Sequence, residues 1–317
     1  MNTTQDPTAS RLDLLPPGEG GTTANLLLEW DPVLQRKFQQ LVQIFAEMEQ
    51  VLVAYSGGVD SSLVAKLAWD QLGERALAVT AASPSLLPED LEEAIQQARQ
   101  IGIRHQIVET HELEDPGYAA NPVNRCYFCK SHLHDTLRLL AQAQGYDHVV
   151  DGLNADDLAD YRPGTQAARE RGVRSPLAEV GMSKLEVRQL SRHLGLSWWD
   201  KPAQPCLSSR FPYGEAITPE KLRRVGAAER YLRSLGWRQV RVRSEKDTAR
   251  IELPPDQIVE FVQKTNLEAL VKALQSFGYL YVSLDLEGYR SGKLNRVLNL
   301  SQLATSQRAG EAVGDLC

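Results

Sequence analysis

The chain has 317 residues, of which 42% are apolar and 24% charged, with a formal net charge of −6. That length accommodates two domains, each with its own core, and the composition is that of a soluble protein. No apolar run approaches the ~20 residues of a membrane span, and an acidic balance supplies no general field for nucleic acid.

Residues 1–30 are polar, lack the apolar stretch of a secretory signal, and are expected to be a flexible tail on a cytoplasmic protein. Residues 35–48 read as a helix leading into an apolar strand at 51–55. That strand ends in Ser56-Gly57-Gly58, after which Val59-Asp60-Ser61-Ser62 opens a helix running to about 72. A strand that delivers a Gly-rich turn onto a helix N-terminus makes a phosphate site. The glycines let the backbone approach the anion, and the free N–H groups and helix dipole hold it. No Lys follows the second glycine, so this is not the Walker loop.

A second strand is expected at 76–80. A helix then runs from Pro88, at its first turn, to about 101, and a third strand covers 105–110. An irregular stretch, 111–125, ends in RCYFCK. A helix at 130–144 and a fourth strand at 147–152 follow. Strands alternating with helices at this spacing predict an α/β domain with a doubly wound parallel sheet. Ligands of such sheets bind at the carboxyl ends of the strands. The Gly-rich turn, RCYFCK and Asp151-Gly152 all fall at that edge.

Residues 183–195 read as another helix, and 197–217, rich in Pro and Trp, as a structured connector. Beyond 218 the order changes to a basic helix (219–235), strands at 238–243 and 249–253, a helix at 256–275 and a strand at 279–284. This predicts a smaller C-terminal α+β domain. The expected division is therefore 31–200, a connector at 201–217 carrying Cys206, a domain at 218–292 and a tail at 293–317.

Several clusters can carry chemistry. In Asp151-Gly152-Leu153-Asn154-Ala155-Asp156-Asp157 the carboxylates could hold the Mg²⁺ that a nucleotide brings, although an Asp/Asn-rich turn would look the same. Ser183 is a plausible N-cap. Lys184 behind it opposes the helix dipole, which suggests an anion nearby. The four cysteines are Cys126, Cys129, Cys206 and Cys317, too few for a disulfide scaffold. Cys126, Cys129 and Cys206 supply three thiolates. A cluster bound by three Cys can offer its last iron to an outside ligand. Zinc, completed by His132 or His134, is the alternative. Arg210 would favour the Cys206 thiolate. Residues 221–250 hold ten Lys/Arg against three acids. Within them Arg241 and Arg243 alternate on a strand, share a face and could clamp a phosphate.

SGGVDSS resembles the PP-loop of ATP pyrophosphatases. Together with RCYFCK, DGLNADD, DYRPG, GMSK and KPAQPCLSSRFPYG it closely resembles the LarE family of ATP-dependent sulfur transferases, over about residues 35–292. The resemblance implies that ATP·Mg²⁺ adenylates a carboxylate of a pyridinium dicarboxylate mononucleotide, and that a sulfur nucleophile then displaces AMP. Ser56, Gly57, Gly58, Asp60, Ser61, Ser62 and Lys184 would bind ATP, Asp156 and Asp157 would bind Mg²⁺, and Arg210, Arg241 and Arg243 would bind the substrate. Some family members sacrifice the sulfur of the Cys matching Cys206. Others hold a [4Fe-4S] cluster on three Cys, and with Cys126, Cys129 and Cys206 the resemblance implies the cluster type for this chain. A small-molecule substrate, a sulfide donor and a homo-oligomer, a hexamer, are implied, with neither nucleic acid nor membrane as partner. A tRNA thiolase would need a dedicated RNA-binding domain and a broad basic face. An amide-forming synthetase leaves the cysteines unexplained. A nucleotide-binding module with structural zinc is the non-enzymatic alternative.

Overall fold

The computed structural model describes residues 31–159, 163–203, 205–290 and 292–297. The N-terminal tail, most of the C-terminal tail with Cys317, the first three residues of DYRPG and Gln204 lie outside these. The chain divides into two compact units. Among the described residues, one comprises 31–112 and 124–203, the other 113–123 and 205–297.

The first unit is an α/β domain. Helix α1 (Pro32–Ala46) precedes strand β1 (Val51–Ala54), helix α2 (Val59–Leu72), strand β2 (Ala76–Ala82), helix α3 (Pro88–Ile101) and strand β3 (Arg104–Glu109). Helix α4 (Arg125–Gln144), strand β4 (His148–Val150) and helix α5 (Lys184–His193) complete the longer elements. The sheet order is β3-β2-β1-β4 and every pairing is parallel, with Val53 opposite Ala78 on one side and Val150 on the other. This is the doubly wound arrangement that the alternating pattern predicts. Successive residues of β1 point to opposite faces. Val51 and Val53 pack with Leu63, Leu67 and Ala94 on one side, while Leu52 packs with Leu137 and Ala141 of α4 on the other. Both faces of the strand are therefore buried, which explains its unbroken apolar run.

Helix α4 begins earlier than its periodicity suggests. Arg125 is its first residue, so Cys126 lies in its first turn and Cys129 at the start of its second, not in a loop. Asn124 stands at the N-cap without a side-chain capping bond. With no capping bond, the start carries little local signature.

The second unit contains helix α6 (Pro219–Ser234), strands β5 (Arg241–Glu245) and β6 (Thr248–Glu252), helices α7 (Ile258–Lys264) and α8 (Leu267–Ser276), and strand β7 (Tyr281–Leu284). Its sheet order is β5-β6-β7. The first pairing is antiparallel and the second parallel. The single helix expected at 256–275 is two helices. Asn266 interrupts it, because its Oδ1 accepts the Ala269 amide at 3.0 Å and so restarts the helix as an N-cap.

Candidate active site

The phosphate-type loop is built by a change of direction after β1. Tyr55 is still anchored to the sheet by donating its amide to Val79 O at 2.9 Å. Gly57 then turns at φ +68°, and a Cβ there would lie 2.7 Å from Ala94 Cβ on α3. Both facts require glycine. Gly58 is the N-cap of α2 and brings no capping side chain, so the first amides of the helix lack intrahelical acceptors.

The serines organise this turn. Ser61 Oγ accepts the Ser56 amide at 3.2 Å and donates to Gly58 O at 3.1 Å. Its one proton being used there, Ser56 Oγ must donate to Ser61 Oγ across 3.1 Å. Ser62 points inward. It is fully buried, with its hydroxyl 3.5 Å from Tyr55 Oη, so it shapes the loop from beneath and is not placed to touch a phosphate.

The exit of β4 lies against this turn. A Cβ on Gly152 would fall 2.7 Å from the Ser61 amide nitrogen, so glycine is what lets the two backbones meet. Asp151 beside it is 8% exposed and accepts from Leu153 N at 3.1 Å and Ser175 Oγ at 2.7 Å. Burial pushes its carboxyl above the usual range, while Lys130 works in the opposite direction. The Asp/Asn run then forms a cap. Asn154 Oδ1 accepts the Asp156 and Asp157 amides at 3.0 and 3.2 Å, and Asp157 Oδ2 accepts the Asn154 amide at 3.2 Å. Asn154 Nδ2 donates to Asp60 Oδ1 at 3.1 Å, which ties the cap to the first turn of α2.

Two lysines flank the loop. Lys184 forms an ion pair with Asp60, and its amide donates to Asp156 Oδ2 at 2.8 Å. This accounts for a Lys in the first turn of α5, whose dipole opposes it. Ser183 caps that helix in a capping box with Glu186. Lys37 donates to Gly181 O at 2.7 Å and pairs with Glu186 at 2.7 Å, which holds the same turn. Lys201 is the second lysine. Its Nζ donates to Gly57 O at 3.1 Å and pairs with Glu93 at 3.0 Å. Sequence reasoning missed it, although it stands at the head of KPAQPC. Asn154 was likewise passed over among the acids.

Helix α4 presents Cys126, exposed, and Cys129, half-buried. Residues at i and i+3 are neighbours on one helix face. Gly164 makes room there, since a Cβ on it would meet Lys130 Cγ at 2.9 Å. His134 lies roughly 7.5 Å further along the axis, at 1.5 Å per residue. It is fully buried, and neither ring nitrogen has a hydrogen-bond partner among the described residues. Burial, reinforced by Lys130 and Arg171, drives its pKa down to about 3. Among the described residues, no three His, Cys, Asp or Glu side chains converge as a metal site.

In the second unit, exposed Cys206 is the N-cap of a 3₁₀ turn, Leu207–Arg210. Its carbonyl accepts Ser209 N at 3.0 Å, Ser209 Oγ at 2.8 Å and Arg210 Nη1 at 3.3 Å. Arg210 is 1% exposed. It donates Nε and Nη2 to Glu229 at 2.7 and 2.9 Å, and Nη1 to Pro205 O at 2.9 Å. Burial alone would raise the Glu229 carboxyl, but the Arg210 guanidinium outweighs it and holds the carboxyl below its ordinary range. Arg210 is thus a buttress beneath the turn, with its charge matched by Glu229, and is not free to meet a substrate. Arg243 is similarly engaged, with Nε on Glu252 at 2.8 Å and Nη1 on Ser209 O at 2.7 Å. Arg241 shares its strand face, as alternation predicts, but is 3% exposed, with its guanidinium 5.4 Å from the Tyr289 ring centroid. Burial and the neighbouring Arg210 lower its pKa to about 10. Both arginines that the strand alternation offered as a phosphate clamp are therefore buried.

Residues 34–119 match the NAD synthase family model. The chain is 67% identical over 266 residues to an uncharacterized protein of Synechocystis sp., covering 84% of this chain and 99% of that protein. It is 41% identical over 273 residues to the pyridinium-3,5-bisthiocarboxylic acid mononucleotide synthase of Lactiplantibacillus plantarum, covering 86% of this chain and 98% of that enzyme. An uncharacterized protein of Methanocaldococcus jannaschii is 30% identical over 243 residues, covering 77% and 92%.

Proposed function

The chain belongs to the LarE family of PP-loop sulfur transferases, and on that premise we propose that it is an ATP-dependent sulfurtransferase acting on pyridinium-3,5-dicarboxylate mononucleotide. The observation that carries the activating half is the loop of Ser56–Ser61, whose open amides face the N-terminus of α2 between Lys184 and Lys201. Backbone donors and flanking cations suit a departing pyrophosphate. One carboxylate oxygen of the substrate attacks the α-phosphorus of ATP, and the bond to pyrophosphate breaks. The resulting acyl adenylate has AMP as leaving group. Sulfur then adds to the acyl carbon, AMP leaves, and a thiocarboxylate remains.

Gly57 and Gly58 admit the phosphates, and Lys184 and Lys201 balance their charge. Asp156 and Asp157, with Asp60, are proposed to hold Mg²⁺, which needs one or two carboxylates beside phosphate oxygens. When bound, Mg²⁺ would neutralise charge on the phosphates.

Cys126, Cys129 and Cys206 are the proposed ligands of a [4Fe-4S] cluster. The family resemblance and a donor set of three cysteines support this reading. When bound, the cluster would supply the transferable sulfide. Arg241 and Arg243 are proposed to set the positive field for the substrate phosphate, with Arg210 supporting the Cys206 turn. The reading extends to a cytoplasmic homo-oligomer, a hexamer, served by an external sulfide donor and without nucleic acid as partner. Among the described residues no helix is long and apolar enough to cross a membrane.

Metal and acid-labile sulfide content after anaerobic purification tests the sulfur half. About four iron per chain is expected for a [4Fe-4S] cluster. Stoichiometric zinc without iron-dependent visible absorption would contradict it.

A further inference from the structure

Gly57 and Gly58 flank one peptide of the phosphate-type loop. A peptide is a rigid plane whose carbonyl and following amide point in opposite directions. Glycine on both sides removes most of the steric cost of turning that plane over. Turned over, it would present the Gly57 oxygen where the Gly58 amide now stands, and a carbonyl oxygen repels the anion that an amide would hold. Local sterics therefore do not fix this plane. Lys201 does, because its Nζ donates to Gly57 O at 3.1 Å. On the opposite edge the Gly58 amide makes only a long contact, 3.4 Å, with Ser56 Oγ.

Lys201 is itself held at both ends, and every group that holds it belongs to the first unit. Its amide donates to Trp198 O at 2.9 Å, and its carbonyl accepts Arg188 Nη2 of α5 at 2.9 Å. Its ammonium pairs with Glu93 Oε2 on α3 at 3.0 Å. Gln97 stands one turn further along α3, on the same face. Its Nε2 donates to Glu93 Oε1 at 3.1 Å, so each carboxylate oxygen has its own donor. Gln97 is buried. Its Oε1 accepts from Tyr55 Oη at 3.4 Å and would lie 3.3 Å from a Cβ on Gly57. The Lys201 side chain keeps 10% of its surface exposed, against 34% for Lys184. Of the three ammonium protons, Gly57 O and Glu93 take two, which leaves one for a phosphate oxygen.

We infer that Glu93 and Gln97 are positioning residues of the phosphate loop. They hold the Lys201 ammonium on the Gly57 carbonyl and so keep the Gly58 amide turned toward the phosphates of ATP. The inference rests on the proposed ATP reading. It also runs against charge alone. A carboxylate beside a phosphate site repels the anion, so deleting its charge would tighten ATP binding if Glu93 acted only through its own field. The positioning role predicts the opposite sign.

The test measures ATP·Mg²⁺ binding by calorimetry, without the dicarboxylate, in the full-length chain. Wild type is compared with Glu93→Gln, Gln97→Met, Lys201→Met and Glu93→Gln/Lys201→Met. Glu93→Gln keeps the side-chain size and removes the charge. Its Kd should rise about threefold to tenfold, the scale of one charge-assisted contact, with little change in melting temperature because the pair is partly exposed. Gln97→Met should raise Kd about twofold to threefold, the scale of a neutral hydrogen bond. The double variant should bind no more weakly than Lys201→Met, since Glu93 acts only through the lysine. Tighter or unchanged binding in either single α3 variant, or additive losses in the double, overturns the positioning role. A ligand-free arm follows the amide signals of Gly57 and Gly58 by NMR in chain carrying isotope-labelled glycine. In Glu93→Gln they should move toward their positions in Lys201→Met, while Gly236 and Gly278 of the second unit stay fixed. Unmoved Gly57 and Gly58 signals overturn the lock. If wild type itself binds no ATP, the ATP reading fails, and the glycine signals still judge the lock.

Discussion

The loop of the first unit and the Cys206 turn of the second both gather cations, but they use them in opposite ways. Lys184 and Lys201 reach the loop through Asp60, Glu93 and a carbonyl. The Lys184 and Asp60 side chains keep 34% and 22% of their surface exposed, enough for their partners to be exchanged for phosphate. Arg210 and Glu229 keep 1% and 0%. A buried guanidinium that has found its carboxylate serves as framework, whereas a partly solvated lysine can move to an arriving anion. Basic composition by itself does not distinguish the two.

The contrast breaks first, and by most, at Glu229. Glu229→Ala leaves Arg210 uncompensated and also removes the acceptor of the Val242 amide. A loss of about 3–5 kcal/mol is expected from stranding such a charge, measured by denaturant unfolding of the full chain. A loss below 1 kcal/mol would mean that the turn does not depend on this pair. Asp60→Asn should behave oppositely. Breaking a partly exposed pair costs less than about 1 kcal/mol. Misplacing Lys184 and the loop at the proposed ATP site should lower kcat/KM for ATP by about 10²-fold, read by pyrophosphate release. Lys201→Met sharpens the same point. It should raise the KM for ATP by about tenfold, the loss of one charge-assisted contact to phosphate, with little change in melting temperature.

His134 gives the smallest effect at neutral pH and the clearest one in acid. Its pKa falls from an ordinary 6.5 to about 3 on folding, because burial and the nearby Lys130 and Arg171 disfavour the cation. The unfolded chain therefore binds the extra proton first. The stability that this histidine contributes is complete above pH 6.5 and drains away as pH drops toward 3. His134→Leu should flatten that acid limb in a pH series of melting curves, with a near-neutral or slightly stabilising effect at pH 7. An unchanged limb would mean that other groups dominate.

The first unit was readable because its signals are local. An apolar strand, two glycines and an opening helix fall within Val51–Ser62, and only the burial of Ser62 beneath Tyr55 escaped notice. The CxxC was visible as a motif but misplaced onto a loop, because Asn124 makes no capping bond that would announce α4. The break at Asn266 carried a cap signature, but apolar periodicity continued through it. The arginines failed for a deeper reason. Arg210 finds its partner on α6 and Arg243 finds its own across the β5–β6 pairing. Whether an arginine is buried or available depends on contacts that no local pattern encodes. Residues 113–123 were legible only as irregular, since Tyr118 and Asn121 find their side-chain partners 90 and 91 positions later.

The most direct test of activation at the loop with sulfur delivered through Cys206 is product analysis by mass. Wild type and Cys206→Ala are each incubated with ATP, Mg²⁺ and the dicarboxylate mononucleotide under anaerobic conditions, with sulfide supplied. Wild type should yield AMP and thiocarboxylate in equal amounts, whereas Cys206→Ala should still release pyrophosphate and form no thiocarboxylate. Thiocarboxylate from Cys206→Ala at the wild-type rate, or no AMP from wild type, would contradict the account.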